Sequence, residues 1–129
     1  NLDAALLMWD MRRNLDPEAL PRRRATILFQ YPERPPAERR WWLVATAGEP
    51  VDLCAVDPGF EVDLYVSTDL RTMTEIWLGL ATVTAAVEDG RLHLHGAREL
   101  EAAMPGWLGL SPFAGIEKRP RARVGRSAT

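Results

Sequence analysis

The segment from Phe60 to Gly96 constrains the fold of this chain most, because its hydrophobic pattern changes period within a short length. Apolar and polar residues alternate over residues 60–67, which predicts a strand with one face in the core. Ser67 or Thr68 is then expected to cap a helix whose first turn contains Asp69. The apolar positions of that helix have helical spacing: Leu70, Met73, Ile76, Trp77 and Leu80.

A second helix and a second strand complete this segment. Gly79 is expected to end or kink the first helix, and the next helical stripe stops at Gly90, where a left-handed backbone costs glycine little. Residues 91–95 alternate again and place Leu92 and Leu94 on one face. Strand, helix, helix and strand in this order predict a compact α+β unit.

The remainder of the chain adds strands and two more helices. An N-terminal helix is predicted from an apolar stripe at Leu2, Leu6, Leu7, Trp9 and Met11. Three β-prone runs follow, at residues 25–31, 40–47 and 51–56. Because the turn Asp57-Pro58-Gly59 leads into the strand at Phe60, the last three strands are expected to form an antiparallel meander. A short helix over residues 97–104 should end at Pro105.

Length and composition indicate one globular unit. The chain has 129 residues, of which 47% are hydrophobic, enough to bury a core. Residues 1–116 are predicted to form a single domain and residues 117–129 a basic flexible tail. A single cysteine, Cys54, gives no disulfide framework and indicates a reducing cytoplasm. No apolar run is long enough to span a membrane. Because Asn1 leads directly into a helical pattern, we expect a further domain upstream.

Charge is distributed unevenly along the chain. Residues 42–105 carry 3 basic and 11 acidic side chains, whereas residues 106–129 carry 5 basic and 1 acidic. Phosphate binding requires clustered Lys and Arg, so the acidic body is a poor surface for nucleic acid. Contact with DNA is therefore expected only through an upstream domain.

The sequence contains none of the familiar nucleophile, zinc or phosphate-binding motifs. His93 and His95 lie two residues apart on one strand face, but a metal site needs about three or four protein ligands and no third histidine is present. Glu61 and Asp63 are expected on the solvent side of their strand rather than as a catalytic pair. We therefore predict a protein that is not an enzyme and uses no metal or cofactor.

Two groups of large apolar residues have alternative interpretations. One group forms either a plain core or the wall of an apolar pocket whose flexible methionines adapt to a guest: Met73, Trp77, Leu80, Met104, Trp107, Leu108 and Phe113. Trp41 and Trp42 are strand neighbours and point to opposite faces. Together with Trp9, they are expected in a core, in a ligand cavity, or at a contact with a dimer partner or another domain.

The motifs STDLRTMTEIWLG and AAVEDGRLHLHG resemble the sterol carrier protein type 2 family, in which a Ser/Thr-Asp-led helix is followed by an alanine-containing helix and a glycine-bounded strand. The resemblance implies an α+β fold with an about five-stranded, largely antiparallel sheet covered by several helices. It also implies an apolar tunnel for lipids or other hydrophobic small molecules. The tunnel wall would include Phe60, Met73, Trp77, Leu80, Met104, Trp107 and Phe113.

A second resemblance concerns the context of the domain. LMWDMRR, RRWWLV and DPGFEVDL are similar to the C-terminal domain that follows a winged helix-turn-helix in some HxlR-type bacterial transcription regulators. This implies a homodimeric ligand-sensing domain for a hydrophobic or lipid-like small molecule. A structural dimerisation domain without a ligand, and a small enzyme that uses the same pocket, are the alternatives.

Overall fold

The computed structural model describes residues 2–109. Four α-helices in this part of the chain are α1 (Ala4–Asn14), α2 (Leu70–Trp77), α3 (Val83–Glu88) and α4 (Arg98–Trp107). Its five strands are β1 (Arg24–Gln30), β2 (Arg40–Thr46), β3 (Asp52–Cys54), β4 (Leu64–Thr68) and β5 (Leu92–Gly96). Short 3₁₀ turns occupy Pro17–Ala19 and Pro36–Glu38. The basic tail predicted over residues 117–129 lies outside the described residues.

The five strands form one mixed sheet in the order β3-β2-β1-β4-β5. The β1–β4 pair is parallel, and the β1–β2, β2–β3 and β4–β5 pairs are antiparallel. With helices packed on this sheet, the architecture confirms the predicted α+β class and the largely antiparallel sheet.

The predicted antiparallel meander is wrong at its third strand. The hairpin of β2 and β3 forms, but β4 lies beside β1 instead of β3 and runs parallel to it, with Ile27 opposite Leu64. The strand also begins at Leu64 rather than Phe60. A meander would leave β1 at an edge, although its interior residues are all buried. Insertion of β4 makes β1 a central strand and satisfies its backbone on both sides.

The buried face of α1 differs from the predicted stripe. Leu7 and Met11 are buried as expected, and Ala4 and Met8 complete the buried face at helical spacing. The remaining apolar residues of the predicted stripe are exposed to a third or more of their area: Leu2, Leu6 and Trp9. The N-terminal segment carries two apolar stripes, and only packing against the sheet decides which of them is covered.

The cap of α2 is Asp69 itself rather than Ser67 or Thr68. A carboxylate oxygen of Asp69 accepts the backbone N–H of Thr72 at 2.9 Å. The hydroxyl of Thr68 instead donates to the carbonyl of Arg91 at 2.7 Å and ties β4 to the start of β5. The predicted helix ends at Gly79 and Gly90 are confirmed, because both glycines follow helices with a positive φ.

The predicted end of the last helix at Pro105 is also wrong, since α4 continues to Trp107. Proline removes one backbone donor and lies only three residues before the helix C-cap, Leu108. Continuing the helix buries Trp107 completely, and its indole N–H donates to the carbonyl of Leu100 at 3.0 Å. Burial of that indole outweighs the loss of a single helical hydrogen bond.

A candidate ligand-binding core

Four of the seven residues predicted to line a tunnel lie together in the hydrophobic cluster between the helices and the sheet. They are Met73, Trp77, Met104 and Trp107. Trp77 is 3% exposed and the other three are fully buried. Phe60 and Leu80 lie outside this cluster and expose 45% and 63% of their area. Phe113 lies beyond the described residues. The structure therefore brings together the four predicted residues that lie on α2 and α4, and it places Phe60 and Leu80 outside their cluster.

Every methionine of the chain belongs to this cluster. The sequence has four methionines, and Met8, Met11, Met73 and Met104 are each 0% exposed. Sequence reasoning missed Met8 as a candidate, although its spacing from Ala4 and Met11 was the available signal. Methionine has three rotatable bonds and a polarizable sulfur, so a core built on it changes shape more easily than one built on branched side chains.

The methionines come from three different elements. Met8 and Met11 lie on α1, Met73 on α2 and Met104 on α4. The sheet contributes its inward residues to the same cluster, chiefly Ile27, Phe29, Leu43, Leu64 and Val66. The cluster therefore consists of flexible methionine side chains on the helices, packed against stiffer β-branched, leucine and aromatic side chains on the sheet.

Indole groups at the border of the cluster are anchored to oxygen acceptors. Trp77 donates to Oδ2 of Asp10 at 2.7 Å, which joins α2 to α1. Trp41 donates to the carbonyl of Glu38 at 2.8 Å. These bonds satisfy the polar atoms that would otherwise make burial of tryptophan costly.

One phenol also lies inside the cluster. Tyr31 is fully buried, and its hydroxyl lies 3.1 Å from Sδ of Met8. Burial, with a smaller contribution from the Glu33 carboxylate, raises the pKa of Tyr31 well above its ordinary value. The hydroxyl therefore remains protonated and acts as a hydrogen-bond donor at any physiological pH.

Three surface depressions within residues 2–109 are formed by other residues. One lies at the start of α2 and is bordered by Glu33, Asp69, Arg91 and His93. The others lie beside Arg39 and Arg40, and beside Arg12 and Arg13. None of these three depressions includes a residue of the predicted tunnel wall.

The three tryptophans predicted at a dimer or domain contact have different environments. Trp41 and Trp42 are 6% and 5% exposed, so the chain covers both of them itself. Trp9 is 45% exposed on the outer side of α1, with the guanidinium of Arg12 5.5 Å from its ring centroid. Leu6 is exposed on the same helix, and Leu2 is exposed just before it. Of the three tryptophans, Trp9 is the one available to a partner.

The described residues offer little for metal or proton-transfer chemistry. No group of three or more His, Cys, Asp or Glu side chains within residues 2–109 could hold a metal ion. His93 and His95 are both exposed on β5. No helix between residues 2 and 109 has the length and apolar character needed to cross a membrane.

Comparison with known proteins gives structural relatives only. Neither a protein-family profile nor a curated protein sequence matches the chain. Among solved structures, UbiJ-SCP2, a ubiquinone synthesis protein, aligns with a TM-score of 0.57 at 14% identity over 81% of this chain and 88% of its own. The apo sterol carrier protein 2 of Yarrowia lipolytica aligns with a TM-score of 0.53 at 14% identity over the same shares. The chain has a sterol carrier protein 2-like fold.

The same fold also occurs within a larger protein. A double mutant of the sec-alkyl sulfatase PisA1 aligns with a TM-score of 0.65 at 15% identity over 85% of this chain. The chain spans only 17% of that sulfatase. A second structure, that of the stereoselective inverting sec-alkylsulfatase Pisa1 from Pseudomonas sp., aligns over 15% of its length with a TM-score of 0.57. At these identities, the comparisons establish the sterol carrier protein 2-like fold and no activity.

Proposed function

We propose that this domain binds a hydrophobic or lipid-like small molecule between its helices and its sheet. The observation that carries the proposal is the buried cluster in which all four methionines meet Trp77 and Trp107. The sterol carrier protein 2-like fold supports it, because several structural neighbours are named for sterol carrying and one is described as palmitated. In this proposal the domain binds its guest without catalysing a reaction.

Binding requires the cluster to open, and the distribution of side chains suggests how. Methionines on α1, α2 and α4 form the helix side of the cluster, so rotamer changes there create space without moving the sheet. The guest replaces contacts between side chains with its own apolar surface, which recovers about 25 cal/mol for each Å² it buries. Small movements of α2 relative to α1 then accompany binding.

We further propose that the domain is the C-terminal sensor of a homodimeric cytoplasmic transcription regulator that contacts DNA through an upstream winged helix. The sequence resemblance to HxlR-type regulators supports this role, and the sulfatase shows that the fold occurs as part of a longer chain. A guest would change DNA binding only if it bound two arrangements of the helices with different affinities. The corresponding test is whether a bound guest changes the affinity of the natural full-length protein for its operator DNA.

Quenching of tryptophan fluorescence by a brominated lipid tests the binding site directly. Dibromododecanol is titrated into the protein, because bromine quenches only indoles that it approaches closely. Quenching should weaken in Trp77→Phe and Trp107→Phe and should persist in the control Trp9→Phe, whose indole lies on the outer surface. Native mass spectrometry should show one bound molecule per chain. Absence of saturable binding, or quenching that disappears only with Trp9, would contradict an internal site.

A structural dimerisation role is the second candidate, and the exposed apolar residues of α1 favour it. Leu6 and Trp9 expose 67% and 45% of their area on the outer side of this helix. Exposed apolar patches of this kind often mark a contact with another protein surface. A dimer in sedimentation that dissociates in Leu6→Ser/Trp9→Ser, from a protein with no affinity for lipid-like probes, would favour this candidate over the sensor.

A further inference from the structure

The Tyr31 hydroxyl has an unusually weak hydrogen-bond acceptor for a fully buried group. Its partner is the thioether sulfur of Met8, 3.1 Å away. Two other buried donors have oxygen partners, as the indole of Trp107 and the hydroxyl of Thr68 both donate to backbone carbonyls. A thioether accepts only weakly, whereas a carbonyl or hydroxyl oxygen accepts well. The core therefore contains a donor whose interaction a guest oxygen would improve.

The position of Tyr31 places this donor inside the methionine cluster, between the sheet and α1. Tyr31 directly follows β1, and its side chain reaches Met8 on α1. Two residues later, the carboxylate of Glu33 accepts the first backbone N–H of α2, that of Leu70, at 2.9 Å. Tyr31 thus lies where the sheet meets α1, and the loop that follows it reaches the start of α2, beside the helices proposed to admit the guest.

The charge around Tyr31 selects between kinds of oxygen. Burial and the nearby Glu33 carboxylate both act against negative charge at this position, and both raise the pKa of Tyr31. A guest carboxylate would bring a second negative charge close to Glu33 and would lose its hydration on entry. A neutral hydroxyl, ketone or ester oxygen brings no charge and loses much less hydration on entry than a carboxylate does.

We propose that Tyr31 is the polar anchor of the site and selects neutral amphiphiles that carry a single oxygen acceptor on a long apolar body. This inference rests on the proposed function, because it assumes that a guest enters the methionine cluster. In the bound state the Tyr31 O–H leaves Sδ of Met8 and donates to the guest oxygen. Because the hydroxyl exchanges a weak acceptor for a good one, a guest with such an oxygen should bind about three- to tenfold more tightly than a matched guest without it.

Dissociation constants of three matched probes, measured for the wild type and Tyr31→Phe, test the anchor. The probes are dodecane, 1-dodecanol and dodecanoate, each competing with a fluorescent apolar dye at pH 7. Tyr31→Phe keeps the ring and removes only the hydroxyl, and a melting curve checks that the variant is folded. The substitution should raise the dissociation constant of 1-dodecanol by about three- to tenfold and leave that of dodecane unchanged. Dodecanoate should bind at least about tenfold more weakly than 1-dodecanol to the wild type.

A second variant makes the test independent of the phenylalanine substitution. Met8→Leu removes the sulfur acceptor and keeps a similar apolar volume, so the Tyr31 hydroxyl has more to gain from a guest oxygen. Met8→Leu should therefore lower the dissociation constant of 1-dodecanol relative to that of dodecane. Equal effects of Tyr31→Phe on 1-dodecanol and dodecane would overturn the anchor and leave the proposed function standing. If neither protein binds any of the three probes, the proposed function itself fails, and the anchor with it.

Discussion

The indole N–H of Trp77 donates to Oδ2 of Asp10 at 2.7 Å, although 67 residues separate them in the chain. The other carboxylate oxygen of Asp10 accepts from the guanidinium of Arg13 at 2.9 Å. One carboxylate therefore satisfies a buried indole on α2 and an exposed side chain on α1. This bond joins the two helices that border the methionine cluster.

Replacing Asp10 with alanine should destabilise the protein by about 1.5–3 kcal/mol, because the Trp77 indole loses a charged acceptor while it remains buried. The measurement is the free energy of unfolding in urea. Arg13→Ala is the matched control, since it removes only the exposed partner of Asp10 and should cost less than about 1 kcal/mol. Equal losses in the two variants would show that the indole bond contributes little.

Asp69 should make the stability depend on pH in the acid range. Burial acts to raise the pKa of this carboxyl, but the hydrogen bonds from Thr72 and the charge of Arg91 together outweigh it and lower the pKa. The folded state therefore prefers the carboxylate. This contribution is complete above the pKa of the unfolded chain and is lost as the pH falls through the lower pKa of the folded state.

Substitutions at Asp69 separate the cap from the charge. Asp69→Ala should cost about 0.5–2 kcal/mol at pH 7, because the N–H of Thr72 loses its acceptor. Asp69→Asn retains a good cap but does not titrate, so its stability should approach that of the wild type as the pH falls. Urea unfolding between about pH 3 and pH 7 checks both expectations. A constant difference between wild type and Asp69→Asn over this range would contradict the linkage.

Gly96 should not tolerate a side chain. Its φ is +144°, and a Cβ atom there would lie 2.9 Å from Cα of Leu64, with the carbonyl oxygen of Asp63 closer still. Gly96→Ala should therefore destabilise the β4–β5 pair by about 3 kcal/mol. Gly48→Ala is the matched control: its φ is also positive at +81°, but nothing lies within 4 Å of the added atom. The control should cost about 1 kcal/mol, and similar melting temperatures for the two variants would contradict the steric argument.

Flexibility at Met73 should matter more for binding than for stability. Met73→Leu keeps the buried volume and should change the free energy of unfolding by less than about 1.5 kcal/mol. Met73→Ala leaves a cavity and should cost about 2–5 kcal/mol. If the cluster opens through methionine rotamers, Met73→Leu should nevertheless weaken dibromododecanol binding in the quenching titration. Unchanged affinity in this variant would show that another element opens the site.

Local patterns were sufficient for most elements. The helical spacing of Leu70, Met73, Ile76 and Trp77 predicted α2, because an amphipathic stripe follows from the geometry of the helix alone. Gly79 and Gly90 predicted the two helix ends for a similarly local reason, since only glycine adopts a positive φ at little cost. The motif resemblance over the same region predicted the sterol carrier protein 2-like fold.

The candidate site depended partly on contacts that the sequence does not encode locally. Met73 and Trp77 were identifiable as inward-facing, whereas exposure of Leu80 follows from the helix ending before it. The Tyr31 hydroxyl could not be recognised, because its meeting with Met8 depends on how α1 packs on the sheet. Phe60 alternates correctly with its neighbours but precedes the first paired residue of β4.

By itself, the sequence determined the type and order of the elements, since periodicity, capping and glycine ends act over a few residues. Only the tertiary structure decided that β4 pairs with β1, which face of α1 is buried, and that α4 continues through Pro105. Each of these outcomes depends on how much apolar surface is buried and how many backbone hydrogen bonds are formed across the whole sheet. These contacts join residues far apart in the chain, so no short segment determines them.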